Sequence, residues 1–65
     1  MKFVKIRTAL YNISDIVKVN CFDKFVKVYI RGENYPDTYD YNSKAAAVQA
    51  CEEICKEILK IIEQD

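Results

Sequence analysis

The sequence predicts an α+β domain of two layers: a three- or four-stranded antiparallel β-meander packed on one C-terminal α-helix (βββα or ββββα). Three observations predict it. In the first half, apolar and polar residues alternate in short runs, and a period of two marks half-buried strands. The last third repeats its apolar residues at intervals of three and four, the period of a helix with one buried stripe. The only Gly and the only Pro, Gly32 and Pro36, fall between these regions, where they punctuate the change.

Lys2 to about Leu10 reads as the first strand, with Val4 and Ile6 on one side and Phe3, Lys5 and Arg7 on the other. Asn12, Ser14 and Asp15 follow. Such side chains bond to their own backbone and favour turns, so a turn or one turn of 3₁₀ helix is expected near Ser14-Asp15, anchored by Ile13 and Ile16. The second strand runs from Ile16 to Cys21, with Val17, Val19 and Cys21 sharing a face opposite Lys18 and Asn20. Phe22-Asp23-Lys24 is a tight link without Gly. The third strand, Phe25 to about Ile30, sends Val26, Val28 and Ile30 one way and Phe25, Lys27, Tyr29 and Arg31 the other. The short link and matched alternation make these two strands a hairpin. Residues 31–36 form a loop, and 37–41 suit a short edge strand by their Tyr and Thr content. The helix opens at Asn42 or Ser43, either of which can cap it, and runs to about Ile62. Its stripe is Ala47, Val48, Cys51, Ile54, Cys55, Ile58, Ile61 and Ile62, and its Ala45-Ala46-Ala47 run permits a close approach to the sheet.

A chain of 65 residues has room for one domain, residues 1–65. Its apolar share of 51% is ample for a core. No apolar run approaches the ~20 residues needed to span a bilayer, and Met1-Lys2-Phe3-Val4-Lys5 alternates where a secretory leader would be uniformly apolar. With an odd number of cysteines, three, free thiols and a cytoplasmic location are expected, with no membrane association. Net charge is zero, but it is divided. Residues 1–31 hold seven bases (Lys2, Lys5, Arg7, Lys18, Lys24, Lys27, Arg31) against Asp15 and Asp23. Residues 32–65 hold Lys44, Lys56 and Lys60 against eight acids (Glu33, Asp37, Asp40, Glu52, Glu53, Glu57, Glu63, Asp65). A basic half and an acidic half bear on partners rather than on fold.

One helix covers one face of a sheet, so the other face is expected to be bare. By alternation it carries Phe3, Lys5, Arg7, Lys18, Asn20, Phe25, Lys27, Tyr29 and Arg31. A basic face with interleaved aromatics suits an acidic protein partner or a second copy of the chain, forming a homodimer in which the basic sheet face of one copy meets the acidic helix of the other. It also suits single-stranded nucleic acid, whose bases stack on rings while cations track phosphates. The same alternation describes an ordinary solvated face. A second recognition surface is expected at Tyr35, Asp37 and Tyr39, since Tyr gives contact area at low entropic cost; an edge strand guarded by charge explains the same residues.

Cys51 and Cys55 stand four residues apart on one helix face, with Cys21 available from the sheet. Such thiols could ligate a metal, but a structural zinc takes four ligands and the chain has no His. Small buried hydrophobes describe all three equally well. No cofactor is expected. Without His the commonest general base is missing, and one Gly cannot build a phosphate-cradling loop, so an enzyme is not expected. In outline the run Ile13-Ser14-Asp15-Ile16-Val17-Lys18-Val19, followed by a strand and a helix opening at Asn42-Ser43-Lys44, resembles small bacterial and phage mobile-element proteins. The flagellar FlbD-like proteins and part of the LytTR DNA-binding domain show a similar rhythm. The expectation that follows from the residues is a small, non-enzymatic interaction or accessory protein that uses its bare sheet face for protein binding or self-association, with nucleic-acid binding and a structural thiol metal site as alternatives.

Overall fold

A computed structural model describes residues 1–64; Asp65, counted above among the acids, lies outside them. Strands β1 (Phe3–Ile6) and β2 (Ala9–Asn12) form an antiparallel hairpin. A 3₁₀ turn, Ile13–Asp15, leads into β3 (Ile16–Phe22), β4 (Phe25–Ile30) and β5 (Asp37–Asp40), which form a separate antiparallel sheet in the order β3-β4-β5. Helix α1 (Lys44–Glu63) closes the fold. The α+β class, the 3₁₀ turn, the β3–β4 hairpin, the edge strand at 37–40 and the terminal helix all stand where the sequence puts them.

One core unites these elements. Val4, Ile6 and Val28 are buried together, packed by Ile54, Ile58 and Ile61 of the helix and by Tyr11, Ile13, Ile16, Val19, Ile30 and Tyr39. Val26 and Ala47 are fully buried as well. A missing side chain beyond Cβ at Ala47 is what lets the first turns of the helix lie close on the sheet. Each buried Val or Ile contributes roughly 1.5–3 kcal/mol by leaving water, so a domain this size depends on all of them. The helix packs on β3, β4 and β1. Beside it, the β1–β2 hairpin reaches β5 through the Tyr11 hydroxyl, which donates to Asp37 Oδ2 at 2.8 Å and shares a hydrogen bond with the Tyr39 hydroxyl.

The ends of α1 are tied. Ser43 Oγ accepts from the Ala46 N–H at 3.1 Å, satisfying one of the orphan donors of the first turn. At the other end Lys2 Nζ donates to the carbonyls of Ile62, at 3.0 Å, and Gln64, placing a cation where helix carbonyls are unpaired.

Two differences from the sequence expectation matter. The first strand expected from Lys2 to Leu10 is two strands, because the chain reverses at Arg7-Thr8 with Arg7 at φ 55°. That left-handed conformation is normally taken by Gly or Asn, so the turn carries no compositional signal. A single meander therefore becomes a two-stranded and a three-stranded sheet. The second difference is Val17, expected to face the helix with Val19 and Cys21. An irregularity in register between Ile16 and Lys18 turns Val17 outward, 64% exposed, and Ile16 joins the core in its place.

Candidate functional site

The face of β3-β4-β5 turned away from the helix is uncovered. On β4 the buried Val26 and Val28 alternate with half-buried Phe25, Lys27 and Tyr29. Cross-strand partners share a face, so the register assigns the rest. Lys18 lies opposite Tyr29, Asn20 opposite Lys27, and Phe22 opposite Phe25 on one side; Thr38 lies opposite Lys27 and Asp40 opposite Phe25 on the other.

On this face the lysines sit against aromatic rings. Lys18 Nζ is 4.4 Å from the Tyr29 centroid, Lys27 Nζ 5.6 Å from that of Phe22, and Lys24 Nζ 6.0 Å from that of Phe25. Each pair lies within cation–π reach. Lys24 also stands 4.0 Å from the Asp40 carboxylate, an exposed pair of small energetic weight. Phe22, at the tip of the β3–β4 hairpin, is 68% exposed. At the middle of β3, Asn20 Oδ1 is buried without a hydrogen-bond partner. The face thus offers three cations and three rings, above one buried, unpaired amide oxygen.

Of the residues expected on one bare face, the structure brings together Lys18, Asn20, Phe25, Lys27 and Tyr29. It separates the others. Phe3 and Lys5 pair with Asn12 and Leu10 on the outer side of the β1–β2 hairpin, a different surface. Arg7 occupies the hairpin turn, where its guanidinium donates to the Asp40 carbonyl and lies 4.4 Å from the Tyr41 centroid and 5.5 Å from that of Tyr39. Arg31, just past β4, donates to the Ser14 carbonyl at 3.1 Å. Both arginines hold segments together. Phe22 was read as part of a link rather than as a face residue. Its place was nonetheless legible, because a two-residue turn pairs the residues that flank it.

The second surface expected at Tyr35, Asp37 and Tyr39 divides as well. Tyr35 is 82% exposed, but Asp37 and Tyr39 lie opposite the buried Val28 and Val26 and bond to Tyr11 beneath. They latch the hairpin to β5. Burial, then the bonds to Tyr39 and Asp37, push the Tyr11 phenol far above its ordinary range.

All three cysteines are free and half-buried. Burial, followed by the neighbouring Cys55 thiol, pushes Cys51 up to about 11, away from the thiolate that metals and electrophiles require. Among the described residues no group of three His, Cys, Asp or Glu is placed to hold a metal, so the thiol metal site has no geometric basis. The groove between β1 and the helix, over Ile54 and flanked by Lys5, Arg7, Glu53 and Glu57, measures about 250 Å³; wider depressions of about 710 Å³ beside Val48 and about 350 Å³ beside Leu59 are walled by the helix alone. No helix among the described residues is long and apolar enough to cross a membrane.

No protein-family model matches the chain, and no curated protein or solved structure matches it either. Fold and geometry therefore stand alone: a small α+β protein with an antiparallel sheet, one face of which is open, basic and aromatic.

Proposed function

We propose that this chain is a non-enzymatic interaction module whose open sheet face, built on Lys18, Phe22, Phe25, Lys27 and Tyr29, docks an acidic segment of a protein partner. The observation that supports the reading is the pairing of each lysine with a ring on one uncovered face. Carboxylates of a partner would meet the ammonium groups, and its apolar side chains would cover Phe22 and the rims of Phe25 and Tyr29. Rings and cations in a central patch are what binding hot spots are made of. Single-stranded nucleic acid fits less well. Its bases need bare ring faces, and here ammonium groups lie over them, while the net charge is zero and the helix exterior carries Glu52, Glu53, Glu57 and Glu63.

The test uses the immobilised wild-type chain beside F22S/K27E and, as a control on another surface, E53Q/E57Q. Partners captured from the cells that make the protein are identified, purified and titrated by calorimetry. The expected result is a partner whose affinity falls at least tenfold with F22S/K27E and little with E53Q/E57Q. Equal affinity for wild type and F22S/K27E would refute the reading. So would tight, salt-sensitive binding of a labelled ten-residue oligothymidine that exceeds binding to every captured protein.

A further inference from the structure

The free edge of β3 is a different surface from the open face. We infer that it is the contact of a symmetric homodimer, in which β3 pairs antiparallel with the partner's β3 about a two-fold axis at Asn20, joining the two three-stranded sheets into one of six strands.

The first support is the backbone. β3 pairs with β4 on one side only, and no strand among the described residues lies along its other side. Phe22 and Phe25 flank a two-residue turn, so they exchange main-chain hydrogen bonds. Bonded and non-bonded pairs then alternate along the ladder, so Asn20 and Lys18 also direct their main-chain groups at β4. Val19 and Cys21 direct theirs outward. Five residues, Lys18 to Phe22, are in regular register, and they are centred on Asn20. An exposed edge of this kind is a template for another strand unless something blocks it. Here the register irregularity at Ile16/Lys18 limits pairing to those five residues without closing them off.

The second support is self-complementarity. A two-fold axis at Asn20 sets Val19 against the partner's Cys21 and Lys18 against the partner's Phe22. The Val19 and Cys21 pairs form four main-chain hydrogen bonds across the axis. Lys18 meets a ring rather than a like charge, whereas an axis at Lys18 would oppose two lysines. Asn20 meets the partner's Asn20 in a pair without main-chain bonds, the closer kind, with Cα atoms about 4.5 Å apart. Asn20 Oδ1 is the atom that is buried without a partner. The partner's Asn20 amide, entering along the edge, brings the missing donor. A buried amide that is paired in only one register is a device that fixes register.

The third support is the helix. On the side toward β1 it presents Glu53 and Glu57, but on the side toward β3 it presents Val48, Cys55, Leu59 and Ile62. Val48, Leu59 and Ile62 are 39%, 58% and 51% exposed. Val17, Val19, Cys55, Ile58 and Leu59, with Lys18 at its rim, line one groove at the β3 edge. The axis at Asn20 therefore passes at the level of Cys51 and Cys55. It runs the two helices antiparallel, with Val48 of one against the partner's Leu59. The apolar overhang is covered by its own copy.

Size sets the strength. An edge of five residues is about 17 Å long and two layers are about 20 Å deep, so the contact buries on the order of 700 Å² in total. That is below the roughly 1,200 Å² of stable complexes, so the dimer is a weak one that forms only at high chain concentration. Phe25, Lys27 and Tyr29 of both open faces remain free in it, side by side on the extended sheet, so a variant on β4 separates partner binding from dimerisation.

Sedimentation velocity from about 10 µM to 1 mM tests the inference. Wild type and K27E, whose change lies on β4 outside the contact, should rise from the mass of one chain toward two. N20D, which sets two carboxylates face to face, and L59K, which places charge in the overhang, should stay at one; far-UV circular dichroism checks their fold. N20C supplies a second readout, because Cα atoms about 4.5 Å apart fall within disulfide range. Under mild oxidation it should give a covalent dimer in at least tenfold excess over T38C, whose thiol lies on the far strand. A wild-type chain that remains a monomer at 1 mM overturns the inference. So does a dimer that survives in N20D and L59K, or equal cross-linking of N20C and T38C.

Discussion

Replacing Tyr11 by Phe removes one oxygen from the hydroxyl latch that, beside the Arg7 contact to Asp40, ties the β1–β2 hairpin to β5. The hydroxyl donates to Asp37 Oδ2 at 2.8 Å and shares a bond with the Tyr39 hydroxyl. A hydrogen bond to a charged group is worth about 1.5–3 kcal/mol and a neutral one about 1 kcal/mol. Tyr11, Tyr39 and Asp37 are only half-buried, so water recovers part of the loss, and Y11F should cost about 1–2 kcal/mol. In a domain of this size that lowers Tm by roughly 4–16 °C. Urea unfolding followed by circular dichroism measures it, with the m-value expected to stay constant. Coupling to Asp37 should appear in a double-mutant cycle with D37A. The phenol also supplies a pH signature. Its pKa is raised above the ordinary 10, first by burial and then by the bonds to Tyr39 and Asp37. A group that holds its proton more tightly when folded contributes fully below its unfolded pKa and loses that contribution as pH rises above it. The stability advantage of wild type over Y11F should therefore be flat up to about pH 9.5 and shrink above pH 10. A cost below about 0.3 kcal/mol, or an advantage that grows above pH 10, would refute the latch.

Three other outcomes follow from the same structure. Val28 is fully buried in the core, so V28A should cost about 2–3 kcal/mol from lost burial and the cavity left behind, a large share of a small domain's stability; a loss under 1 kcal/mol in urea would place Val28 outside the core. Ser43 Oγ accepts from the Ala46 N–H, so S43A should cost about 1 kcal/mol while S43D stays near wild type, and equal losses in both would show that the cap contributes nothing. Cys51 is pushed up to about 11 from the ordinary 9, so at pH 8 its alkylation by iodoacetamide, followed by peptide mapping, should be on the order of 100-fold slower than that of an unperturbed thiol; reaction at the free-thiol rate would contradict its burial. The sign of that shift also means that its contribution to stability is present below about pH 9 and fades between pH 9 and 11.

Periodicity made most of the fold legible. Of the stripe Ala47, Val48, Cys51, Ile54, Cys55, Ile58, Ile61 and Ile62, Ala47 is buried and Ile54, Ile58 and Ile61 pack on the core, while Val48 and Ile62 stay exposed at its margin; Val26 and Val28 are buried as their alternation requires. What stayed hidden were places where backbone geometry departs from its usual residues. Arg7 at φ 55° reverses the chain without Gly or Asn, and the alternation of Val4 and Ile6 gives no hint that the strand stops there. The irregularity at Ile16/Lys18 adds one residue to β3, so Ile16 turns into the core while Val17 is left exposed at the strand's edge. The candidate face was legible where alternation held, at Lys18, Phe25, Lys27 and Tyr29. It was not legible at Arg7, whose turn carries it over Tyr41, nor at Asp37 and Tyr39, whose inward direction depends on pairing with Val28 and Val26.

The hidden turn at Arg7 also decides which surfaces are free. Read as one strand, Lys2 to Leu10 would join the sheet as a further member of the meander, and a strand connected to β3 by a short turn would normally lie beside it. The edge of β3 would then be filled and Val17 and Leu59 covered. Because the chain reverses at Arg7 instead, β1 packs beside the helix with β2 paired to it, and Tyr11 fastens the hairpin to β5. The sheet keeps its open face and gains an open edge, the edge lies under the apolar overhang of the helix, and the unpaired Asn20 oxygen sits at its midpoint. A surface that sequence alternation presents as a single basic face is thereby resolved into two: a lysine-and-ring face suited to an acidic partner and a self-complementary edge suited to another copy of the chain.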